Sequence, residues 1–238
     1  ACLLSGAIEF LGAFIAPLIR KFTPRTALLS ALAGIAITFI AMDFVFQSFE
    51  KPLIALIPLT IIWLQYFSGI RFPMGISGGL LAVIVGTILA WALGVMDFDQ
   101  LSKARNGIQF YLPTLQYESL YDLIIKGSAW KYLVIIIPMG AFNLLGSIQN
   151  LESAEAAGDK YGTVSSLTVN GLGSILAAFL GSCFPTTIYI GHPGWKALGA
   201  RAGYSTLNGL FIATICLTGL VQLMAAIVPI QAGIAIII

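Results

Sequence analysis

Apolar residues fall in long runs along this chain, and polar residues gather in short clusters between them. A membrane-crossing helix takes about 20 residues. At that length the runs divide into crossings at 1–19, 26–42, 52–68, 73–95, 131–157, 167–180, 207–223 and 226–238. Between 96 and 130 lies a mixed stretch in which Tyr111, Leu115, Tyr117, Leu120 and Tyr121 are interspersed with polar residues, a spacing that suits a short interfacial helix. One stretch, 181–201 (GSCFPTTIYIGHPGWKALGAR), is too broken and too polar for an ordinary crossing. Thr186 to Ile190 reads as a short strand, Gly191-His192-Pro193-Gly194 stops it, and Trp195 to Arg201 restarts as a half-helix with Pro193 in its first turn. Backbone that is not helical at membrane depth persists only where protein buries it or where it lines a cavity. The stretch is therefore expected to be half of a substrate site, with the N–H groups of the half-helix facing the solute. Counted as one crossing, it brings the total to nine.

Composition narrows the class. Of 238 residues, 58% are hydrophobic and only 9% are charged, against roughly 25% charged in soluble domains. An all-α polytopic membrane protein follows, in a plasma or bacterial inner membrane with lipid as its solvent. The net charge of +2 and the lack of a basic tract leave no nucleic-acid partner. Cys2, Cys183 and Cys216 have no pairing or metal-ligand spacing and read as free thiols. No catalytic constellation and no phosphate-binding loop is present, so neither an enzyme nor an ATP-driven pump is expected, and no metal or cofactor. Residue 1 is Ala within a span and the chain stops inside an apolar run, from which missing residues at both ends are expected. Basic residues sort by side: Arg20, Lys21, Arg25, Arg71, Lys160 and Arg201 fall on one face, which the positive-inside rule makes cytoplasmic.

Charges at membrane depth are costly and are functional candidates by default. Glu9 stands alone in the first span, where a protein-facing structural position and a functional role are both open. The polar cluster lies late in the fifth span. At about 100° per residue, Gln149, Glu152, Glu155 and Asp159 share about 120° of helix circumference. Such a face lines a cavity, pairs with donors or carries protons; Asp159, beside Lys160, is expected in the solvated last turn. His192 is the single histidine, at the apex of the broken stretch, where it either meets a ligand or caps the half-helix. Thr187 and Tyr189, with Gly191 and Gly194, complete the candidate binding residues, and Lys196 is expected to snorkel toward the cytoplasm rather than pair with a carboxylate of the fifth span.

Two stretches carry a family likeness. Glu155-Ala-Ala-Gly-Asp159 resembles the Glu-[Ser/Thr]-x-Gly-Asp of the nucleobase–ascorbate (xanthine/uracil permease) transporter family, and 170–189 resembles the run leading into that family's strand-and-half-helix element. Phe22-Thr-Pro-Arg25 and Ile227-Val-Pro-Ile-Gln-Ala-Gly233 are looser matches, in the same order. The resemblance implies part of a seven-plus-seven inverted repeat, from the fourth to the twelfth of fourteen crossings. It implies a core domain at 1–19 and 131–223, a gate domain at 20–95 and from 224 to 238, and an extracytoplasmic loop at 96–130. It further implies secondary transport of a nucleobase-like or other small organic solute, coupled to H⁺ or Na⁺, with Glu155 binding the base ring and linked to proton coupling. His192 is a second proton-coupling candidate. Where the family usually carries Glu or Gln followed by Asn, this chain has Gly191 and His192, and Asn170 stands where Asp is common. A sulfate- or bicarbonate-type anion transporter of the related fold is the alternative. Gly75 and Gly79 permit the close helix packing of a homodimer.

Overall fold

The computed structural model describes residues 1–125, 129–197 and 199–237. Residues 126–128, 198 and 238, which the expected loop, half-helix and last span included, lie outside that description. In chain order the helices are α1 (Cys2–Gly12), α2 (Ala16–Phe22), α3 (Arg25–Ile35), α4 (Met42–Ser48), α5 (Pro52–Ser68), α6 (Gly78–Ala92), α7 (Phe98–Arg105), α8 (Tyr117–Ile125), α9 (Leu133–Ala156), α10 (Thr163–Phe179), α11 (His192–Ala197), α12 (Tyr204–Leu217), α13 (Leu220–Ile227) and α14 (Ile230–Ile237). A π-helical stretch, Ala36–Ala41, joins α3 to α4 into one continuous run of 24 residues. That run and the helix ending at Ala156 are long and apolar enough to cross a bilayer, and α5, α6 and α10 are shorter apolar helices. Side chains such as Val134, Phe67 and Phe39 stand exposed on them, as a lipid solvent allows. The protein is an integral, multi-pass, all-helical membrane protein.

Two of the expected single spans are broken. The first bends by 65° between α1 and α2, where Pro17 sits in the first turn of α2 and has no N–H to continue the hydrogen-bond ladder from α1. The 207–223 run bends by 103° between α12 and α13. Its hinge is Gly219 at φ +69, a left-handed conformation that only glycine adopts cheaply.

The chain forms two compact units, Ala1–Ala33 with Pro113–Ala197, and Gly34–Leu112 with Leu198–Ile238. In the first, α1 lies against α10 and α9. The buried side of α1 is Cys2, Ser5, Gly6, Glu9 and Gly12, a small-residue stripe broken by one carboxylate. Its counterpart on α10 is Leu167, Gly171, Ser174 and Ala178. A Cβ on Gly171 would stand 2.6 Å from the Phe10 backbone nitrogen, so the two helices meet backbone to backbone. An apolar cluster of Ala13, Ala16, Leu28, Leu144, Ile148, Leu151 and Leu167 closes the side of this seam. The second unit packs α5, α6 and α14 around Ile54, Pro58, Ala82 and Ile234. There the Trp91 indole N–H donates to the Ile227 carbonyl at 3.0 Å.

The 185–189 stretch is extended, yet no β-strand exists among the described residues. A strand satisfies its backbone through a ladder; here side chains of α9 and α10 take that part. The half-helix also starts earlier than expected, at His192 rather than Trp195, and ends at Ala197, leaving Arg201 outside it. Helix α9 ends at Ala156, so Asp159 is not on its face but in the loop beyond.

Candidate functional site

Three groups of polar side chains stand together among the described residues of the first unit. The deepest surrounds Glu9, whose side chain is fully buried although it carries a carboxylate. One helix supplies two of its donors: Asn143 Nδ2 reaches Oε2 at 2.8 Å and Ser147 Oγ reaches Oε1 at 2.5 Å, both from α9. The third comes from α10, where Asn170 Nδ2 reaches Oε1 at 2.8 Å. The same two amides also donate to the Thr186 carbonyl at 3.1 Å. Two helix-borne amides thus tie a buried carboxylate to the extended segment.

The segment is held from several sides. Ser174 Oγ accepts from the Thr186 N–H at 2.9 Å and lies 2.8 Å from Thr186 Oγ1. Ser147 Oγ is 3.4 Å from Thr187 Oγ1, and Asn150 Nδ2 donates to the Ile188 carbonyl. The Cys2 thiol donates to the carbonyls of Ser174 and Phe184. Asn150 Oδ1 is buried with no hydrogen-bond partner among the described residues, an arrangement that native interiors keep rare.

The second group joins α2, α3, α9 and α10. Arg20 forks onto Glu152 Oε1 at 2.5 Å and Glu155 Oε2 at 2.6 Å, and also donates to Thr163. Arg25 pairs with Glu152 Oε2 at 2.9 Å and lies 3.8 Å from Glu155 Oε1. Two planar guanidinium groups against two carboxylates leave this cluster without net charge and geometrically fixed.

The third group ties the α9–α10 loop to α11. Asp159 lies 2.8 Å from both Lys196 Nζ and His192 Nε2, and Lys196 also donates to the Ala157 carbonyl. Lys196 therefore pairs rather than snorkels. The Lys196 hydrogen bond first, and the His192 hydrogen bond second, hold the Asp159 carboxyl below the usual carboxylate range. The ring of Tyr161 stands edge-on to His192 at 5.7 Å. The Trp195 indole N–H donates to the Tyr189 hydroxyl, whose ring packs over Gly191.

The candidates read from sequence consequently separate. Thr187 joins the Glu9 group; Glu152 and Glu155 join the arginines; His192 joins Asp159 and Lys196. Tyr189 and Gly191 meet each other, Gly194 stands in open space in the first turn of α11, and Gln149 is buried on α9. Sequence reasoning noted Asn170 only as a departure from the family pattern, and missed Asn143, Ser147 and Asn150 as site residues and Arg20 and Arg25 as partners. The signal for three of them was present: positions 143, 147 and 150 recur at helical spacing in an apolar run and lie on one face.

A membrane-embedded helical chain that keeps a bare, extended segment among buried amides, hydroxyls and a carboxylate has the features of a solute carrier. This chain belongs to the xanthine/uracil permease family, a permease family whose model matches residues 1–236. It is similar to the uracil permease of Paenibacillus larvae subsp. larvae, with 28% identity over an alignment of 169 residues that covers 67% of this chain and 37% of that protein. The chain thus spans well under half the length of that relative. No solved structure matches it. The family is one of permeases rather than of enzymes.

Proposed function

We propose that the protein is a secondary active transporter that moves a nucleobase-like solute by alternating access coupled to H⁺ or Na⁺. The observation that carries this reading is the extended 185–189 segment, laced by side chains into the first unit of a permease-family chain. The likeness to a uracil permease supports a planar heterocycle with N–H donors and carbonyl acceptors as the solute class. Nothing in either comparison points to an inorganic anion.

In this reading the first unit, with α1, α9, α10 and α11, holds the solute, and the second serves as the gate. An inverted repeat would supply a matching half-site from outside this chain. Thr187, Tyr189, Gly191, His192 and Gly194 border the solute from the broken stretch. The unpaired Asn150 Oδ1 gives an acceptor that a ring N–H would satisfy. Glu155, with Glu152 and Gln149 beside it, exchanges its arginine partners for the solute during the cycle. A carboxylate already held by two guanidinium groups is suited to partner exchange rather than to carrying a proton.

The test is uptake of radiolabelled uracil into proteoliposomes holding the full-length protein, under imposed proton and sodium gradients. Accumulation above the external concentration, driven by one gradient and competed by other nucleobases, is the expected result. Glu155→Gln should abolish accumulation. Uptake and pH dependence equal to wild type in that variant would remove Glu155 from the site. Oxyanion flux without uptake of any nucleobase would overturn the solute class.

A further inference from the structure

The most buried charge-bearing side chain of the first unit has no part in the reading above. Glu9 is fully buried, and its donors are two amides and a hydroxyl. The elements packed around it are α9, α10 and the extended segment. From these, Asn143, Ser147 and Asn170 donate to it, the Thr186 carbonyl shares the two amides, and on its own helix the Cys2 thiol lies along the same buried stripe. No arginine, lysine or histidine is among its hydrogen-bond partners in the described residues. The carboxylates of Glu152 and Glu155 have Arg20 and Arg25 instead. A buried carboxylate without a cation is unusual, because ionised groups in low dielectric are normally paired.

The hydroxyl partner makes the difference. Ser147 Oγ stands 2.5 Å from Glu9 Oε1 and 3.4 Å from Thr187 Oγ1. A hydroxyl both donates and accepts, so this chain of three has two directions. With Glu9 ionised, Ser147 donates to the carboxylate and accepts from Thr187. With Glu9 protonated, the carboxyl O–H donates to Ser147, which turns and donates to Thr187. Each protonation state is satisfied, and each presents the opposite polarity at Thr187 on the extended segment.

We propose that Glu9 carries the coupling proton, and that Ser147 relays its protonation state to Thr187 in the solute-binding segment. The proposal rests on the transport reading above. The step is Glu9 carboxylate plus one proton from bulk water giving the carboxylic acid; the proton returns to bulk water on the other side, and no other reactant takes part. Asn143 and Asn170 act as positioning residues, since their amides donate to the carboxylate and to the Thr186 carbonyl together.

The primary test needs no solute. Infrared difference spectra of the full-length protein in lipid, taken between acid and alkaline pH, should contain a protonated-carboxyl C=O band. The band is expected to be lost in Glu9→Gln, kept in Glu155→Gln, and shifted in frequency in Ser147→Ala, which removes the acceptor of the acid proton. A Glu9→Gln spectrum identical to wild type overturns the proposal, and an unshifted band in Ser147→Ala overturns the relay. If Glu9→Gln does not fold, Glu9→Asp decides: it should shift both the band and its titration midpoint, and an unshifted band counts against Glu9. Uracil flux is the second arm. Glu9→Gln should keep exchange of internal for external uracil while losing accumulation, and Ser147→Thr should restore the pH dependence that Ser147→Ala loses. Wild-type protein that moves no nucleobase would refute the solute class, whereas the infrared result alone decides whether Glu9 titrates.

Discussion

Asp159 links the end of α9 to the start of α11 through Lys196 and His192. Its folded pKa lies below its unfolded value, so the linkage stabilises the folded state at pH above the unfolded carboxylate value of about 3.9. That contribution fades as pH falls through the lower folded value. Asp159→Asn should therefore lower the melting temperature in detergent at neutral pH by a small amount, because the pair is partly solvated. The wild-type and variant curves should converge at acid pH, and a gap that persisted there would sink the assignment. Sequence placed Asp159 in a solvated last turn beside Lys160, and only the structure shows the helix ending three residues earlier, with a lysine and a histidine folded back onto it. Glu9 was harder to judge for the opposite reason. A lone charge in a span gives no hint of its partners when those partners, Asn143, Ser147 and Asn170, lie more than 130 positions away.

Helix α9 shows why the polar residues form separate groups. At about 100° per residue, Asn143, Ser147 and Asn150 occupy one side, and Gln149, Glu152 and Glu155 lie on the opposite side. The first side meets α1, α10 and the extended segment, while the glutamates on the other meet Arg20 and Arg25. The periodicity of the carboxylates was legible from sequence; what they face was not, because Arg20 and Arg25 read as cytoplasmic flanks rather than partners. The α1–α10 crossing carries its own prediction. A methyl group at Gly171 would strike the backbone of Phe10, which cannot yield as a side-chain tip would. Gly171→Ala should cost about 1–3 kcal/mol, the range for overpacked cores, and lower the melting temperature in detergent. Gly146→Ala, on α9 with open space around its site, should be close to neutral. Equal melting temperatures for the two variants would contradict the backbone-to-backbone contact.

Across the whole molecule, only two helices among the described residues, or up to four if each bent pair is one span, are long and apolar enough to cross. The helical membrane class and the positions of most apolar helices were still legible, because apolar runs of bilayer length leave few alternatives. The breaks at Pro17 and Gly219 were not, since composition is continuous across both. Orientation follows from charge and is testable through the cysteines. Helix α10 has 17 residues and so extends about 26 Å, close to the hydrocarbon thickness of about 30 Å. Its start follows Lys160 on the side that the positive-inside rule makes cytoplasmic. Its end leads to Cys183, which is exposed, and that thiol should face the cell exterior. Cys2 is buried, and its thiol is engaged by the Ser174 and Phe184 carbonyls. In intact cells, a membrane-impermeant maleimide should label a variant keeping only Cys183 and fail to label one keeping only Cys2. Labelling of Cys183 only after permeabilisation would invert the orientation.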